Sequence, residues 1–354
     1  MDRSAVRHRL EAREDSLSPF AAKSKDSRGR EKEEEESPLR TAFQRDRDRI
    51  IHSHGFRRLK HKTQVFVAPL GDHFVTRLTH TVEVAQVGRT IARALNLNED
   101  LVEAMCLGHD LGHTPFGHAG EKTLDDIVPG GFRHSSQSLR LADVLEKNGE
   151  GLNLTWEVRQ GILHHSKPRG DFLTQDVEED LTLEAQVCRV SDAVAYLNHD
   201  IGDAVRAGLL REQDLPSQAR EALGQRHSQR IDTIVTDIVT SSWAAAGEGD
   251  SGSDITMSAT IRDVVMELRE FLFEHIYLPI STSEESREAC QVVEFLYNHL
   301  CEHPDEVPPE YWLHAESTEQ AVVDYVSGMT DRFALRLADE LHPGLFGDSL
   351  RTRV

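Results

Sequence analysis

Cysteine is scarce in this chain, with four in 354 residues at Cys106, Cys188, Cys290 and Cys301. Each sits singly inside a helical pattern and none forms a CxxC pair, which argues against a disulfide scaffold and reads as reduced core thiols. Long apolar runs are also missing. No stretch has the length of a signal peptide or a membrane-spanning helix, so a cytoplasmic protein with no membrane partner is expected. Basic charge is in deficit: 40 Lys plus Arg against 61 Asp plus Glu give a formal net charge of -21. Such a surface repels phosphates and argues against a general nucleic-acid coat protein, unless basic residues cluster locally. Hydrophobic residues make up 38%, enough for a core but implying many charged helix faces. Signals for β structure are nearly absent. Only "QVFVAPLGDHFVT", with Pro69 and Gly71, alternates weakly and predicts one short hairpin.

What is present is concentrated at His109-Asp110-Leu111-Gly112-His113-Thr114-Pro115-Phe116-Gly117-His118. Upstream, Glu99 to Gly108 is helix-forming, and His109 continues the apolar stripe of Val102 and Met105. A titratable side chain there loses water and needs a polar partner or a metal. A lone core histidine is ordinarily just hydrogen-bonded, but two further stripes are interrupted in the same way. His80 shares a face with Val84, Val87, Ile91 and Leu95 in the run 78–95, and Asp192 shares one with Leu181, Ala185, Cys188 and Tyr196 in the run 181–207. His80, His109, Asp110 and Asp192 therefore make a candidate divalent-cation site. Mixed nitrogen and oxygen donors suit Mn²⁺, Mg²⁺, Fe²⁺ or Zn²⁺ and leave positions for water and a substrate oxygen.

These residues resemble the H…HD…D pattern of the HD-domain metal-dependent phosphohydrolases. The longer strings "TRLTHTVEVAQVGRTIARALNLNEDLVEA", "GHDLGHTPFGHAGE" and "SDAVAYLNHDIGDA" are similar to the bacterial deoxyguanosine-triphosphate triphosphohydrolase-like branch, with a fainter echo at "ELREFLFEHIY". The resemblance implies a mostly α fold, an HD-domain helical bundle with a helical C-terminal extension. It implies hydrolysis of dNTPs to deoxynucleoside and inorganic triphosphate with Mn²⁺ or Mg²⁺ (Fe²⁺, Co²⁺ or Zn²⁺ as alternatives), in dNTP pool control. A dNTP effector, a homo-oligomer (tetramer or hexamer) and weak single-stranded DNA binding are further implied. The alternatives are another HD phosphohydrolase, acting on nucleoside monophosphates, cyclic dinucleotides or guanosine tetraphosphate, and a catalytically weak nucleotide- or ssDNA-binding regulator.

In chain order, residues 1–38 read as a charged arm with the acidic run "EKEEEES", expected to pack on the domain or a neighbouring subunit. Residues 39–242 read as the phosphohydrolase core, 243–257 as a flexible loop of linker composition, and 258–354 as a helical C-terminal region packed on the core or at a subunit interface. Between Thr41 and Lys62 the charge balance reverses to basic. By the resemblance, Arg58 and Lys60 become candidates for the effector site. Helices are expected over 117–127, 134–146, 155–165, 260–276, 284–301 and 318–341, with breakers at 129–131 and at Lys167-Pro168-Arg169-Gly170.

Phosphoester hydrolysis needs an activated water, neutralised phosphoryl charge and a protonated leaving group. His113 lies four residues after His109, so a helix continuing to Pro115 would place both on one face. Glu121 lies three after His118, within helical reach to orient it as a general acid. The resemblance places His113, His118 and His134 in the catalytic pocket, Arg77 on a phosphate, Gln64 and Asp200 on the sugar, and Tyr196 on the face that meets it. The chain departs from its relatives beside His134, where Arg133 and Ser135 stand in place of a carboxylate or Asn.

Overall fold

The computed structural model describes residues 4–65, 74–166, 181–248 and 254–347, together with Leu350. These residues are overwhelmingly helical, and they group into two compact units, each discontinuous in sequence. One comprises Met1–Ile51, Thr81–His109 and Asn153–Leu272; the other comprises His52–His80, Asp110–Leu152 and Phe273–Val354. The expected division runs in consecutive segments, whereas the N-terminal arm groups with residues 153–272, including the start of the expected C-terminal region, and residues 273–354 group with 52–80 and 110–152.

In the first unit the Glu99–Gly108 helix is the centre. Asn98 caps it, its side chain accepting the Leu101 N–H at 3.3 Å, and Leu101, Val102 and every residue from Ala104 to Gly108 are buried. It packs against the helices Ala42–Ile51, Trp156–Leu163 and Leu183–Arg206. The apolar stripe read from sequence is the packed one: Val84, Val87, Ile91, Leu95, Cys106 and Cys188 are all buried. Cys290 and Cys301 are only partly so, and all four thiols are free.

The arm is held by specific polar contacts. Glu34 of its acidic run pairs with Arg49 at 2.6 Å and Arg45 at 3.3 Å, while Arg47 meets Asp100 at 2.8 Å. Three basic residues of the 41–62 stretch are thus neutralised within the unit. Residues 243–257 also make contacts where they are described: Ser18 donates to Ala245 O at 2.6 Å, and Ile255 and Met257 are buried.

In the second unit the Glu284–Glu302 helix packs against His118–Ile127, Thr318–Gly328 and Asp331–Leu341. Its core includes Phe116, Leu124, Val292, Leu296, Val322 and Leu335. The single helix expected over 318–341 is two. Thr330 accepts the Phe333 N–H at 3.3 Å, and this N-cap starts a new helix after Gly328 without any proline. The helix expected from His134 to Glu146 ends at Arg140 and passes into a π turn over Leu141–Leu145.

The expected β-hairpin is not supported: no strand occurs among the described residues. Its tip, 66–73, lies outside them, and its base is one isolated antiparallel bridge, Thr63 to Thr76. Thr76 O accepts the His80 N–H at 2.9 Å and Lys62 O accepts the Arg77 N–H at 3.2 Å. The helix starting at Arg77 follows the bridge directly, and among the described residues no ladder extends from it. The Lys167–Gly170 breaker also lies outside the described residues.

Glu184 gives this arrangement a pH dependence. Fully buried, its Oε1 accepts the N–H groups of Ala22 in the arm at 3.0 Å and Asn98 at 3.1 Å. Burial pushes its pKa from 4.5 to about 7. A carboxyl that binds its proton more tightly in the fold contributes stability below pH 4.5 that is lost as pH rises through about 7. Glu184→Gln keeps an acceptor without the charge. It should match wild type in thermal unfolding near pH 5 and exceed it by on the order of 2–3 kcal/mol above pH 8. Parallel stability curves for the two proteins across that range would contradict this.

Candidate active site

The helix ending at Gly108 does not continue to His113. His109 is its C-cap, and residues 109–112 form a turn closed by His113 N–H to Asp110 O at 3.1 Å. In the first unit, His109 Nδ1 donates to Cys106 O at 2.7 Å, which fixes the tautomer with the proton on Nδ1. That Nε2 lies 4.0 Å from Asp192 Oδ1. His165 stands edge-on to His109 with ring centroids 4.9 Å apart, its Nδ1 bonded to Ile162 O at 2.7 Å in the same manner. The sequence reading passed over His165, though the adjacent pair His164-His165 at a helix end was a signal.

In the second unit, Asp110 is buried between charges. Arg77 donates to its Oδ2 at 2.6 Å, His134 Nε2 lies 3.9 Å from its Oδ1, and a ligand atom of His80 lies within 4.8 Å. Arg77, expected to meet a phosphate, thus holds a carboxylate. His134 stacks on His113 at 4.7 Å. Glu121 Oε1 accepts both the backbone N–H of His134 at 2.9 Å and its Nδ1–H at 2.7 Å, while Oε2 lies 3.6 Å from His113 Nε2 and 3.6 Å from His118 Nδ1. Glu121, expected to orient His118, is bonded more closely to His134.

The environment separates the protonation states. For His134, burial alone would lower the pKa, but the Glu121 charge and hydrogen bond raise it. Burial would raise Glu121, yet His134 and the bonds to His118 and His134 hold it well below the carboxylate range. Burial, with Arg77 and His134 nearby, pushes His113 well down and keeps it neutral. His118 is the exposed member, its side chain 60% accessible. Asp110, His113 and His134 form one group of potential ligand atoms within 4.8 Å of one another, and His113, His118 and Glu121 another.

The glycines of the motif are steric requirements. A Cβ on Gly112 would lie 2.2 Å from the Ser138 nitrogen, so the turn can approach the His134–Arg140 helix only without one. Gly117 has φ 59° and ψ -132°, a region that side chains avoid, and its Cβ would sit 2.9 Å from Gln64 O.

Of the remaining expected residues, Lys60 is exposed and the others are buried or half-buried. Gln64 is buried, with no hydrogen-bond partner for its Oε1 among the described residues, and its backbone O accepts from Arg77 at 3.5 Å. Asp200 is buried with its Oδ1 2.8 Å from His199 Nδ1, and the Tyr196 ring lies 5.8 Å from the His199 ring. Arg58 is half-buried and bonds Tyr311, while Lys60 is exposed. Ser135 is buried beside His134.

The chain matches the HD domain over residues 77–197 and the phosphohydrolase-associated domain over 255–340. The HD-domain match, with His109 and Asp110 directly following the Glu99–Gly108 helix, defines the class as an HD-domain phosphohydrolase. The chain is 52% identical over 324 residues to a deoxyguanosinetriphosphate triphosphohydrolase-like protein of Caldanaerobacter subterraneus, covering 90% of each chain. It is 49% identical over 343 residues to one from Desulfatibacillum aliphaticivorans, covering 93% of this chain and 96% of that one. It therefore belongs to the deoxyguanosinetriphosphate triphosphohydrolase-like family. A phosphohydrolase of Bacteroides thetaiotaomicron shares the fold, with a TM-score of 0.50 and 18% identity over 86% of this chain and 70% of that one. Among the described residues no helix is long and apolar enough to cross a membrane.

Gly117→Ala tests the turn. The strained backbone and the close approach to Gln64 O should lower unfolding free energy by about 1–3 kcal/mol in chemical denaturation. A variant as stable as wild type would show that the turn relaxes freely.

Proposed function

We propose that the protein hydrolyses deoxynucleoside triphosphates to the deoxynucleoside and inorganic triphosphate, with a divalent metal, in dNTP pool control. What carries this reading is the cluster of histidines and carboxylates along residues 109–121, in a chain so similar to deoxyguanosinetriphosphate triphosphohydrolase-like proteins. His80, His109, Asp110 and Asp192 would hold the ion. The donor chemistry fits: the Nδ1–H of His109 is committed to Cys106 O, leaving Nε2 as a ligand, and imidazoles with carboxylates suit Mn²⁺ or Mg²⁺. When bound, the ion supplies Lewis-acid charge and an acidified water.

The chain's own residues have distinct tasks. Arg77 orients the Asp110 carboxylate and keeps positive charge near the phosphates. Water attacks the α-phosphorus and the bond to the 5′-oxygen breaks. His118, open to solvent, gives that oxygen its proton. Glu121 holds His134 as a cation that adds charge beside the triphosphate, and His113 packs beneath it as a neutral ring. Asp200, fixed by His199, accepts from the 3′-hydroxyl with Gln64, and the Tyr196 ring fills the space of a 2′-hydroxyl. Arg58 and Lys60 bind an effector dNTP in a homo-oligomer, tetrameric or hexameric.

Incubation of each dNTP with the protein and Mn²⁺ should release inorganic triphosphate, and the His109→Ala, Asp110→Ala double variant should remain folded without turnover. More than a few percent of the wild-type rate in that variant would refute the ligand assignment. His118→Ala should lower kcat by ~10²–10⁴-fold while nucleotide binding survives. An unchanged rate would move proton donation to another histidine. Tyr196→Ala should narrow the preference for dGTP over GTP in kcat/KM, and an unchanged ratio would place sugar reading elsewhere.

A further inference from the structure

The turn that presents His118 reverses direction at Phe116 and Gly117, whose φ values are 61° and 59°. Such a turn needs support from outside, because the Phe116 N–H and the His113 carbonyl are not taken up by a helix. Two buried side chains supply it. Asp331 Oδ1 accepts the Phe116 N–H at 2.9 Å, and Oδ2 accepts the Thr63 N–H at 2.9 Å and the Thr63 hydroxyl. Lys62 donates from Nζ to His113 O and, at 2.8 Å, to Ser327 O. Both ends of the turn, His113 and Phe116, are thus tied to the C-terminal region.

Asp331 is the first residue of its helix, but Thr330 caps that helix, so the carboxylate is spared for the turn. Burying a carboxylate is costly, and burial raises the pKa of Asp331. Three donors offset that cost. The same contacts place Thr63 and Gln64 against Gly117, and Gly117 O accepts the Glu121 N–H at 3.1 Å in the first turn of the next helix. A shift at Phe116 therefore moves His118 and Glu121 together.

We infer that Asp331, in the phosphohydrolase-associated region, is a positioning residue that sets the His113–His118 turn and with it the proton-handling residues His118 and Glu121. The inference rests on the proposed function for what those two residues do, while the clasp itself does not depend on it.

The test compares Asp331→Ala, Asp331→Asn and Thr63→Val with wild type in kinetics on dNTPs with Mn²⁺ and in hydrogen exchange of the metal-free protein. Asp331→Ala should lower kcat about 10–100-fold with KM within about threefold. Exchange should quicken over residues 113–121 while the Glu284–Glu302 helix keeps its protection. Asp331→Asn retains an acceptor for Phe116 and should recover most of kcat. If the alanine variant does not fold, Thr63→Val should still quicken exchange over 113–121. Unchanged exchange there in a folded Asp331→Ala or Thr63→Val would overturn the inference. So would kcat, KM and protection across the whole unit failing together, with no rescue by asparagine. A wild type without dNTP turnover would refute the functional reading alone, and exchange would then judge the clasp.

Discussion

Removing Asp110, Arg77, His113 and His134 from water costs several kcal/mol per charge unless each is paired, and that cost governs the arrangement of the second unit. The Arg77 guanidinium answers Asp110 at 2.6 Å, and Glu121 answers His134 through two hydrogen bonds from the same residue. His113 meets no carboxylate at hydrogen-bond distance and is kept neutral. Each charge thus has its counter-charge, and within the His113, His118 and His134 group it is His118 that stays open to solvent. The arrangement explains how several histidines coexist at such short range without mutual repulsion: the environment assigns them different protonation states.

The same economy operates in the first unit. Asp46 is fully buried and accepts from Arg30 and from the Thr155 N–H at 2.8 Å, fastening the arm to the helix that starts at Trp156. His109 gives its Nδ1–H to the helix it terminates, so that a residue of the apolar stripe has its donor satisfied inside the core. In both units, buried polar groups act as joints between segments far apart in sequence.

Local physics was legible in the sequence. Spacing identified the stripes of Val84, Val87, Ile91 and Leu95, and the strings around His109 and Asp192 pointed to the family before any coordinates. Short-range patterns could not reveal what depends on long-range contact. Glu121 was matched to His118 three residues away, whereas its closer partner, His134, is thirteen away. The helix break before Asp331 carries no proline and depends on a threonine cap. The pairing of the acidic run with Arg45 and Arg49 was hidden because each looked like an ordinary charged surface. Asp331 and Phe116 are 215 residues apart, and nothing local marks either. The weak alternation near Pro69 misled because β propensity without a partner strand specifies little.

The central claim is attack by water at the α-phosphorus, and the direct measurement is hydrolysis of a dNTP in ¹⁸O-labelled water with Mn²⁺ present, followed by mass analysis of both products. Cleavage between the α-phosphorus and the 5′-oxygen should put one ¹⁸O in inorganic triphosphate and leave the deoxynucleoside unlabelled. Label in the deoxynucleoside, or products consisting of a nucleoside mono- or diphosphate, would contradict the account.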